Sequence, residues 1–91
     1  MSLVFRRKAL KDLRGIFDYI SQDNIQNAAD TVARILESIE MLKEFPLLGR
    51  SGIVPRTREL VIGGTAYLCI YRIRKDAVEI IAIFHGAQKR G

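Results

Sequence analysis

The chain has very little of the chemistry that binds metals or forms disulfides. Its 91 residues include one cysteine, one histidine and no tryptophan. A single thiol excludes an internal disulfide and a cysteine-based metal cluster. With only one histidine beside it, the usual ligands of a zinc site cannot be gathered from this chain. We therefore expect a domain that uses no metal and no cofactor.

Long apolar runs are absent as well. No segment approaches the roughly 20 consecutive apolar residues that span a bilayer. No long apolar segment follows the basic residues near the N-terminus, as a signal peptide would require. These absences predict a cytoplasmic protein without membrane contact. A chain this short cannot divide its apolar residues between two cores, so residues 1–91 are expected to form a single domain.

Positive charge is in excess. The formal net charge is +5 at pH 7, and such a field attracts nucleic acid, the ribosome or an acidic protein. A solvated basic surface would give the same composition. Charge alone therefore does not choose between these partners.

A helical period begins near the N-terminus. From Arg7 onward, apolar side chains recur three or four residues apart, which predicts an amphipathic helix; they are Leu10, Leu13, Phe17 and Ile20. Gly15 lies inside this helix and costs about 1 kcal/mol relative to alanine. Either close packing against a neighbouring helix compensates for this glycine, or the helix is locally weak.

A second helix follows a short polar break. Residues 21–24 supply N-cap candidates, and an apolar stripe then runs from Ile25 to Leu42. Pro46 ends the pattern, because proline disfavours helical geometry in the residue before it. The break is short enough that the two helices must be antiparallel. A helical hairpin of this kind leaves one apolar side, which needs a sheet to cover it.

The second half of the chain predicts strands. Residues 47–56 are an irregular basic connector, and strands are expected at residues 57–62, 65–74 and 77–84. Gly63-Gly64 and Lys75-Asp76 would be two-residue turns, and the apolar run Leu3-Val4-Phe5 could add a fourth strand. The predicted class is α+β, with the helical hairpin packed on an antiparallel sheet of three to four strands.

Both faces of this sheet are expected to be apolar at their centre. Two-residue turns and strict alternation assign one face to Glu59, Leu68, Ile70, Arg72, Glu79, Ile81, Ile83 and His85. The other face receives Leu60, Ile62, Tyr67, Cys69, Tyr71, Ile73, Val78, Ile80 and Phe84. Helices can cover only one of the two faces. The other would expose an apolar patch, and such patches usually mark interaction sites.

One set of residues could support RNA cleavage without a metal. That reaction needs a base near the 2′-hydroxyl, a cation for the phosphate and an acid for the leaving group. Glu59, Arg72 and His85 could fill these roles if they share a face. Cross-strand ion pairs from Arg72 to Glu59 and Glu79 explain the same residues more simply. Cys69 lies between apolar neighbours in mid-strand, which predicts a buried and inert thiol.

Short motifs occur in a fixed order over nearly the whole chain. They are residues 24–29 at the start of the second helix, Pro46-x-x-Gly49-Arg50, Arg58-Glu59-Leu60, Tyr67, Tyr71-Arg72-Ile73 and His85. Together with the helical hairpin, this order resembles the ParE branch of the RelE/ParE superfamily of bacterial toxins. The resemblance implies a toxin of a type II toxin–antitoxin (plasmid stabilisation) system, neutralised by a cognate acidic, ParD-like antitoxin.

The resemblance also bears on the target. RNA-cleaving RelE-like relatives carry an arginine directly after the tyrosine that opens the central strand, whereas here Leu68 follows Tyr67. Leucine cannot stabilise charge that develops on a phosphate, so no catalytic residues are expected. The ParE-like branch instead poisons DNA gyrase by trapping it with cleaved DNA. This implies a protein–protein mechanism, without sequence-specific nucleic-acid binding by the toxin alone.

Two groups of binding residues are expected on this basis. Target binding is assigned to His85, Gln88, Lys89 and Arg90, and antitoxin binding to Arg50, Arg58, Leu68, Ile70 and Arg72. Two alternatives stay open. One is a ribosome-dependent mRNA endoribonuclease that uses Glu59, Arg72 and His85, and the other is a non-toxic remnant that only binds its antitoxin.

Overall fold

Two helices pack against one side of a five-stranded sheet in the computed structural model, which describes residues 1–87. The elements are β1 (Ser2–Phe5), α1 (Arg7–Ser21), α2 (Ile25–Glu40), a 3-10 turn (Met41–Lys43), β2 (Arg50–Ser51), β3 (Arg58–Val61), β4 (Tyr67–Arg74) and β5 (Ala77–His85). The predicted α+β class and the helical hairpin are confirmed.

The sheet is mixed rather than purely antiparallel. Its strand order is β1-β5-β4-β3-β2, with β1 parallel to β5 and the other pairs antiparallel. The expected count of three to four antiparallel strands was therefore low. The chain leaves β1 directly into the helical hairpin, and a crossover of this kind is what a parallel pair requires. The strand β2 has only two residues, too few for any alternation to be visible in the sequence.

The helices begin where the sequence indicates. The N-cap of α2 is Asn24, whose side chain accepts a hydrogen bond from the Asn27 amide at 2.9 Å. The side chains that face the sheet include Ile16 of α1 together with Ile35 and Ile39 of α2. A Cβ atom at Gly15 would meet nothing within 4 Å. Close packing against a neighbouring helix is therefore not the reason for this glycine.

The first hairpin differs from the predicted two-residue turn. The Ile62 amide donates to the Tyr67 carbonyl at 3.0 Å, so residues 63–66 form a four-residue loop. Gly64 takes a positive φ of 77° in this loop, a conformation that glycine adopts without steric cost. The longer loop shifts the pairing of β3 with β4 by an even number of residues, which leaves each side chain on the same face of the sheet. Glu59 therefore lies opposite Ile70, on the face that was expected.

The second hairpin contains a β-bulge. Its turn at Lys75-Asp76 has two residues, as predicted, but the register shifts between Tyr71, which pairs with Ile80, and Ile70, which pairs with Ala82. Ile81 is thus the extra residue, and every later side chain of β5 changes face. Ile83 joins the helix-side core, and Phe84 lines the other face. Strict alternation assigned Ile83, Phe84 and His85 to the wrong faces.

The Tyr71 hydroxyl fastens the segment after α2 to the sheet. It donates to the Pro46 carbonyl at 2.7 Å and accepts from the Gly49 amide at 2.9 Å. A Cβ atom at Gly49 would lie 2.8 Å from both the Glu59 carbonyl and the Tyr71 ring. The motif Pro46-x-x-Gly49 and the tyrosine of β4 are therefore parts of one structural contact. Burial is the main cause that raises the pKa of Tyr71.

Candidate functional site

The side of the sheet away from the helices carries an apolar groove of about 520 Å³, called the open-face groove below. Ile70, Ala82 and Phe84 line it on the sheet, and Ile53, Val54 and Pro55 of the connector form a wall. Arg6, Lys8 and Arg72 also line it. Ile53 and Val54 are 70% and 62% exposed. The groove therefore combines uncovered apolar surface with three cations.

A line of charges runs along the floor of this groove. Arg72 lies opposite Glu79 across β4 and β5, and its Nε donates to Glu79 Oε1. The other Glu79 oxygen lies 3.2 Å from Arg6 Nε. These two arginines, with Arg72 the larger cause, lower the pKa of Glu79. The ion pair expected between Arg72 and Glu79 is present, and it fixes the guanidinium on the open face.

Glu59 lies on the same face but pairs elsewhere. It is only 5% exposed, and its Oε1 is 3.3 Å from Arg50 Nη2 on the neighbouring strand β2. An ionised carboxylate buried this deeply needs such a partner. Of the two cross-strand ion pairs expected for Arg72, the pair with Glu79 is present, and Glu59 pairs with Arg50.

His85 lies on the opposite side of the sheet from Glu59 and Arg72. Its ring packs edge-on against Tyr67, with ring centroids 5.3 Å apart, and its Nδ1 accepts from the Ala87 amide at 3.1 Å. The bulge at Ile81 is the physical reason, because it reverses the face of each later residue. The structure brings together two of the three candidate nuclease residues and separates the third by the thickness of the sheet.

The residues predicted to bind the antitoxin divide between the two sides. Ile70 and Arg72 line the open-face groove, and Leu68 lies beside them but is only 6% exposed. Arg50 is held near the groove by its pair with Glu59. Arg58 lies on the helix side, where its Nη1 donates to the Gly49 carbonyl at 2.5 Å. Arg58 therefore has a structural contact of its own.

Of the target-binding set, His85 ends β5, while Gln88, Lys89 and Arg90 lie outside the described residues. Cys69 is buried, as predicted, and burial raises the pKa of its thiol to about 12. A neutral thiol is a poor nucleophile. Within residues 1–87, no helix is long and apolar enough to cross a membrane, and no group of acids, histidine and cysteine is arranged to hold a metal ion.

The connector wall was not anticipated from the sequence. Residues 52–57 form a tight turn in which the Gly52 amide donates to the Thr57 carbonyl at 2.8 Å and the Thr57 hydroxyl donates to the Val54 carbonyl at 2.6 Å. This turn holds Ile53 and Val54 over the sheet. The one available signal was the apolar run Ile53-Val54-Pro55 between Arg50 and Arg56 of the connector.

Proteins of similar sequence support the resemblance to ParE toxins that the motifs indicate. The family model described as the ParE toxin of the type II toxin–antitoxin system parDE matches residues 3–90. The chain is 42% identical over 82 residues to Y4kP, a candidate toxin of Sinorhizobium fredii, and this alignment covers 90% of this chain and 84% of that protein. It is also 29% identical over 85 residues to toxin RelE1 of Caulobacter vibrioides, covering 91% of this chain and 90% of the relative.

Solved structures agree as well. A structure of the chromosomal ParDE toxin–antitoxin system from P. aeruginosa matches with a TM-score of 0.85 and 28% identity, covering 93% of this chain and 95% of that one. The RelBE toxin–antitoxin complex of E. coli matches with a TM-score of 0.69 and 16% identity over 97% and 98% of the two chains, which indicates a shared fold alone. Because the ParE toxin family model matches residues 3–90, this chain belongs to the ParE toxin family of type II toxin–antitoxin systems.

Proposed function

We propose that this toxin inhibits DNA gyrase by trapping its DNA-cleavage complex, and that it acts by contact rather than by catalysis. The observation that carries the proposal is the position of His85 across the sheet from Glu59 and Arg72. RNA cleavage by these residues would need a base, a cation and an acid around one phosphate. Groups on opposite faces of a sheet cannot surround one phosphate.

The chemistry of the open face supports the same conclusion. The two acids there are each paired with an arginine, Glu59 with Arg50 and Glu79 with Arg72. The side chain that follows Tyr67 is the buried Leu68, which offers no charge to a substrate. Contact with a protein target needs no such groups. The end of β5 at His85, with the sequence Gln88-Lys89-Arg90 after it, is the proposed target-binding segment.

The open-face groove is the proposed antitoxin site. Its uncovered apolar residues, Ile53 and Ile70 among them, would be buried by apolar side chains of an antitoxin segment, and burial of such area favours association. Arg6 and Arg72 share a single acid, Glu79, so this pair of arginines keeps a net positive charge that would attract the acidic side chains of that segment. The net charge of +5 favours an acidic partner for the same reason.

A second candidate function is ribosome-dependent mRNA cleavage. The identity of 29% to toxin RelE1 over most of both chains favours it. In this case Glu59, Arg72 and His85 would have to act by an arrangement other than the one in this structure. A third candidate, a non-toxic remnant that binds the antitoxin, would share the open-face groove.

Purified toxin incubated with gyrase, ATP and supercoiled plasmid, then treated with detergent and protease, tests the proposal. We expect linear DNA that increases with toxin dose, since detergent releases the ends of a trapped cleavage complex. Deletion of residues 86–91 should remove this effect while leaving antitoxin binding intact.

Undisturbed supercoiling, combined with mRNA cleavage in the presence of ribosomes, would contradict the proposal and favour the second candidate. The variants R72A and H85A then become decisive, because both should abolish mRNA cleavage. Undisturbed supercoiling with no mRNA cleavage, and no growth inhibition on expression without antitoxin, would favour the remnant.

A further inference from the structure

A second concave site lies on the helix side of the sheet, between α1 and the paired ends of β4 and β5. This cleft has a volume of about 550 Å³, within the range of roughly 300–1,000 Å³ that ligand sites usually have. Its helical wall is Lys8, Lys11, Asp12, Gly15, Ile16 and Tyr19, and its strand wall is Tyr67, Ile83, Phe84 and His85. The function proposed above uses none of this cleft except His85. We call it the α1 cleft.

Gly15 borders the α1 cleft and leaves its helical wall without a side chain at this position. The glycine lies in the middle of α1, where it weakens the helix relative to alanine. A Cβ atom there would meet no other atom within 4 Å, and no positive φ at this position requires a glycine. Neither packing nor backbone conformation therefore accounts for it. Its one visible effect is that the helix presents bare backbone to the cleft, which lets a bound group approach closely.

The charge inside the α1 cleft is positive. Asp12 is already engaged: both of its oxygens lie 2.9 Å from Lys8 Nζ, and Oδ2 also accepts from the Ile83 amide at 2.9 Å. Lys8 lies in turn over the Phe84 ring, 5.1 Å from its centroid. The acid and the first lysine balance each other. Lys11 makes no salt bridge with the described part of the chain, so its ammonium supplies the net charge of the cleft.

Aromatic rings line the same space. Tyr19 is 72% exposed although it borders a cavity, and Tyr67 faces it from β4. Burial, and to a lesser extent the electrostatic effect of Tyr19, raises the pKa of Tyr67. The His85 ring stacks edge-on against Tyr67 and holds that ring in place. The exposed ring of Tyr19 and the partly buried ring of Tyr67 thus provide stacking surfaces in the same cleft as Lys11.

We propose that the α1 cleft binds single-stranded nucleic acid, with an unpaired base between Tyr19 and Tyr67 and a backbone phosphate on Lys11. Base stacking on aromatic rings with a cation for the backbone is the general mode of single-strand binding, and it discriminates little between sequences. The bare backbone at Gly15 would admit the sugar or base. Bases of a duplex are stacked and paired, so they could not enter.

A protein segment fits the same cleft less well. An acidic peptide would need more than the one net cation that Lys11 supplies, because Lys8 is balanced by Asp12. An apolar peptide would meet tyrosine hydroxyls, His85 and Lys11, because the aliphatic side chains of the walls, Ile16 and Ile83, are almost fully buried. One phosphate and one base satisfy the cation and the rings together. The nucleic acid is therefore the occupant that the walls favour.

Fluorescence anisotropy of the purified toxin with an end-labelled oligothymidylate tests this proposal, with the matching duplex as comparison. We expect the single strand to bind at low salt and the duplex to bind at least about tenfold more weakly. G15L should weaken binding about tenfold or more, since leucine fills the cleft and is a better helix former than glycine. K11Q should weaken it severalfold and reduce the slope of affinity against salt by about 0.7, the value for one phosphate on a single strand.

The matched control is K75N. It removes one positive charge from the turn at the far end of β4 and β5, where Lys75 has a φ of 54°, and asparagine tolerates this conformation. We expect its affinity to stay within twofold of the wild type. Circular dichroism and thermal unfolding of each variant establish that it is folded. If Lys75→Asn weakened binding as much as Lys11→Gln, general charge would explain the binding and the proposal would be overturned.

Other results would overturn it too. Equal affinity for single strand and duplex, or unchanged affinity of a folded G15L variant, would each exclude a base in the cleft. Loss of antitoxin or gyrase binding in G15L, with oligonucleotide binding intact, would assign the cleft to a protein partner. The assay contains no gyrase. A failure of the gyrase proposal therefore leaves its outcome unaffected, and the two are tested separately.

Discussion

Both sides of the central sheet carry apolar side chains, but helices cover only one of them. On the helix side, Tyr71, Val78 and Ile80 are fully buried beneath α1 and α2. On the other side, Ile70 and Phe84 are only partly covered, and the connector wall above them exposes most of Ile53. Apolar residues of the same types are therefore buried in the core on one side and remain partly exposed on the other.

The bulge at Ile81 connects these two sides. By reversing the alternation of β5, it turns Phe84 toward the open-face groove and His85 toward the α1 cleft. Lys8 contacts Phe84 at the boundary between the two concave sites. A single inserted residue thus separates a predominantly apolar site from a more polar, basic one.

The largest difference between the sides should appear in a pair of truncations. The I35A variant removes a fully buried side chain from the helix side and should lower the free energy of unfolding by about 2–5 kcal/mol. I70A on the partly covered open face should cost about 1 kcal/mol or less. Denaturation in urea measures both values. Equal losses would show that the open face is part of the folding core.

A charge on the open face should affect binding more than folding. The I70D variant places a carboxylate in the middle of the apolar groove, where it would be buried by an antitoxin segment and would repel acidic side chains. We expect its affinity for the cognate antitoxin to fall by at least about tenfold, which corresponds to about 1.4 kcal/mol. Calorimetric titration measures the affinity, and K75N is again the charge control. Unchanged affinity would move the antitoxin site off this face.

Removal of one buried hydroxyl on the helix side should lower stability by less than removal of a whole buried side chain. The Y71F variant leaves the buried Gly49 amide without its acceptor, which typically costs about 1–3 kcal/mol. Y19F removes the same atom from an exposed ring and should change stability by less than about 0.5 kcal/mol. Thermal unfolding compares the two. If the tyrosines behaved alike, the Pro46–Gly49 contact would not be stabilising.

The smallest effect concerns the ion pairs of the open face. Because Arg72 and Arg6 lower the pKa of Glu79 in the folded state, their stabilisation is present above the unfolded pKa of this glutamate. It is lost as the pH falls through the lowered folded value. E79Q should therefore lose less stability than the wild type between neutral and acidic pH. Parallel curves of unfolding midpoint against pH would mean that these partly buried pairs contribute nothing.

Local patterns in the sequence predicted the elements that depend on local contacts. The periods of α1 and α2, the Asn24 cap and the Lys75-Asp76 turn all reflect neighbours a few residues apart. The bulge does not. The Ile83 amide in the bulged half of β5 is satisfied by Asp12, which lies 71 positions earlier in the chain. No local pattern can report such a contact, so the face of His85 was assigned wrongly.

The same limit applies to the sites. Ile70 and Arg72 could be placed on the open face because an even shift of register preserves alternation. The wall at Ile53 and Val54 depends on a turn closed by Thr57, and the α1 cleft depends on the approach of a helix to a strand end. Gly15 was the one local sign of the cleft, and the sequence alone could not show that a Cβ atom at this position would have no neighbour within 4 Å.

The strands at the two edges of the sheet have a consequence for the free toxin. The strand β1 has four residues, and β2 has only two, one of which is Arg50. Short edge strands are poor templates for adding strands from other molecules, and Arg50 adds a charge to the edge at β2. Exposed apolar side chains on the open face, Ile53 among them, can pack against a partner, but the backbone at the sheet edges offers little for fibril growth. The fold therefore limits self-polymerisation through the edges of its sheet.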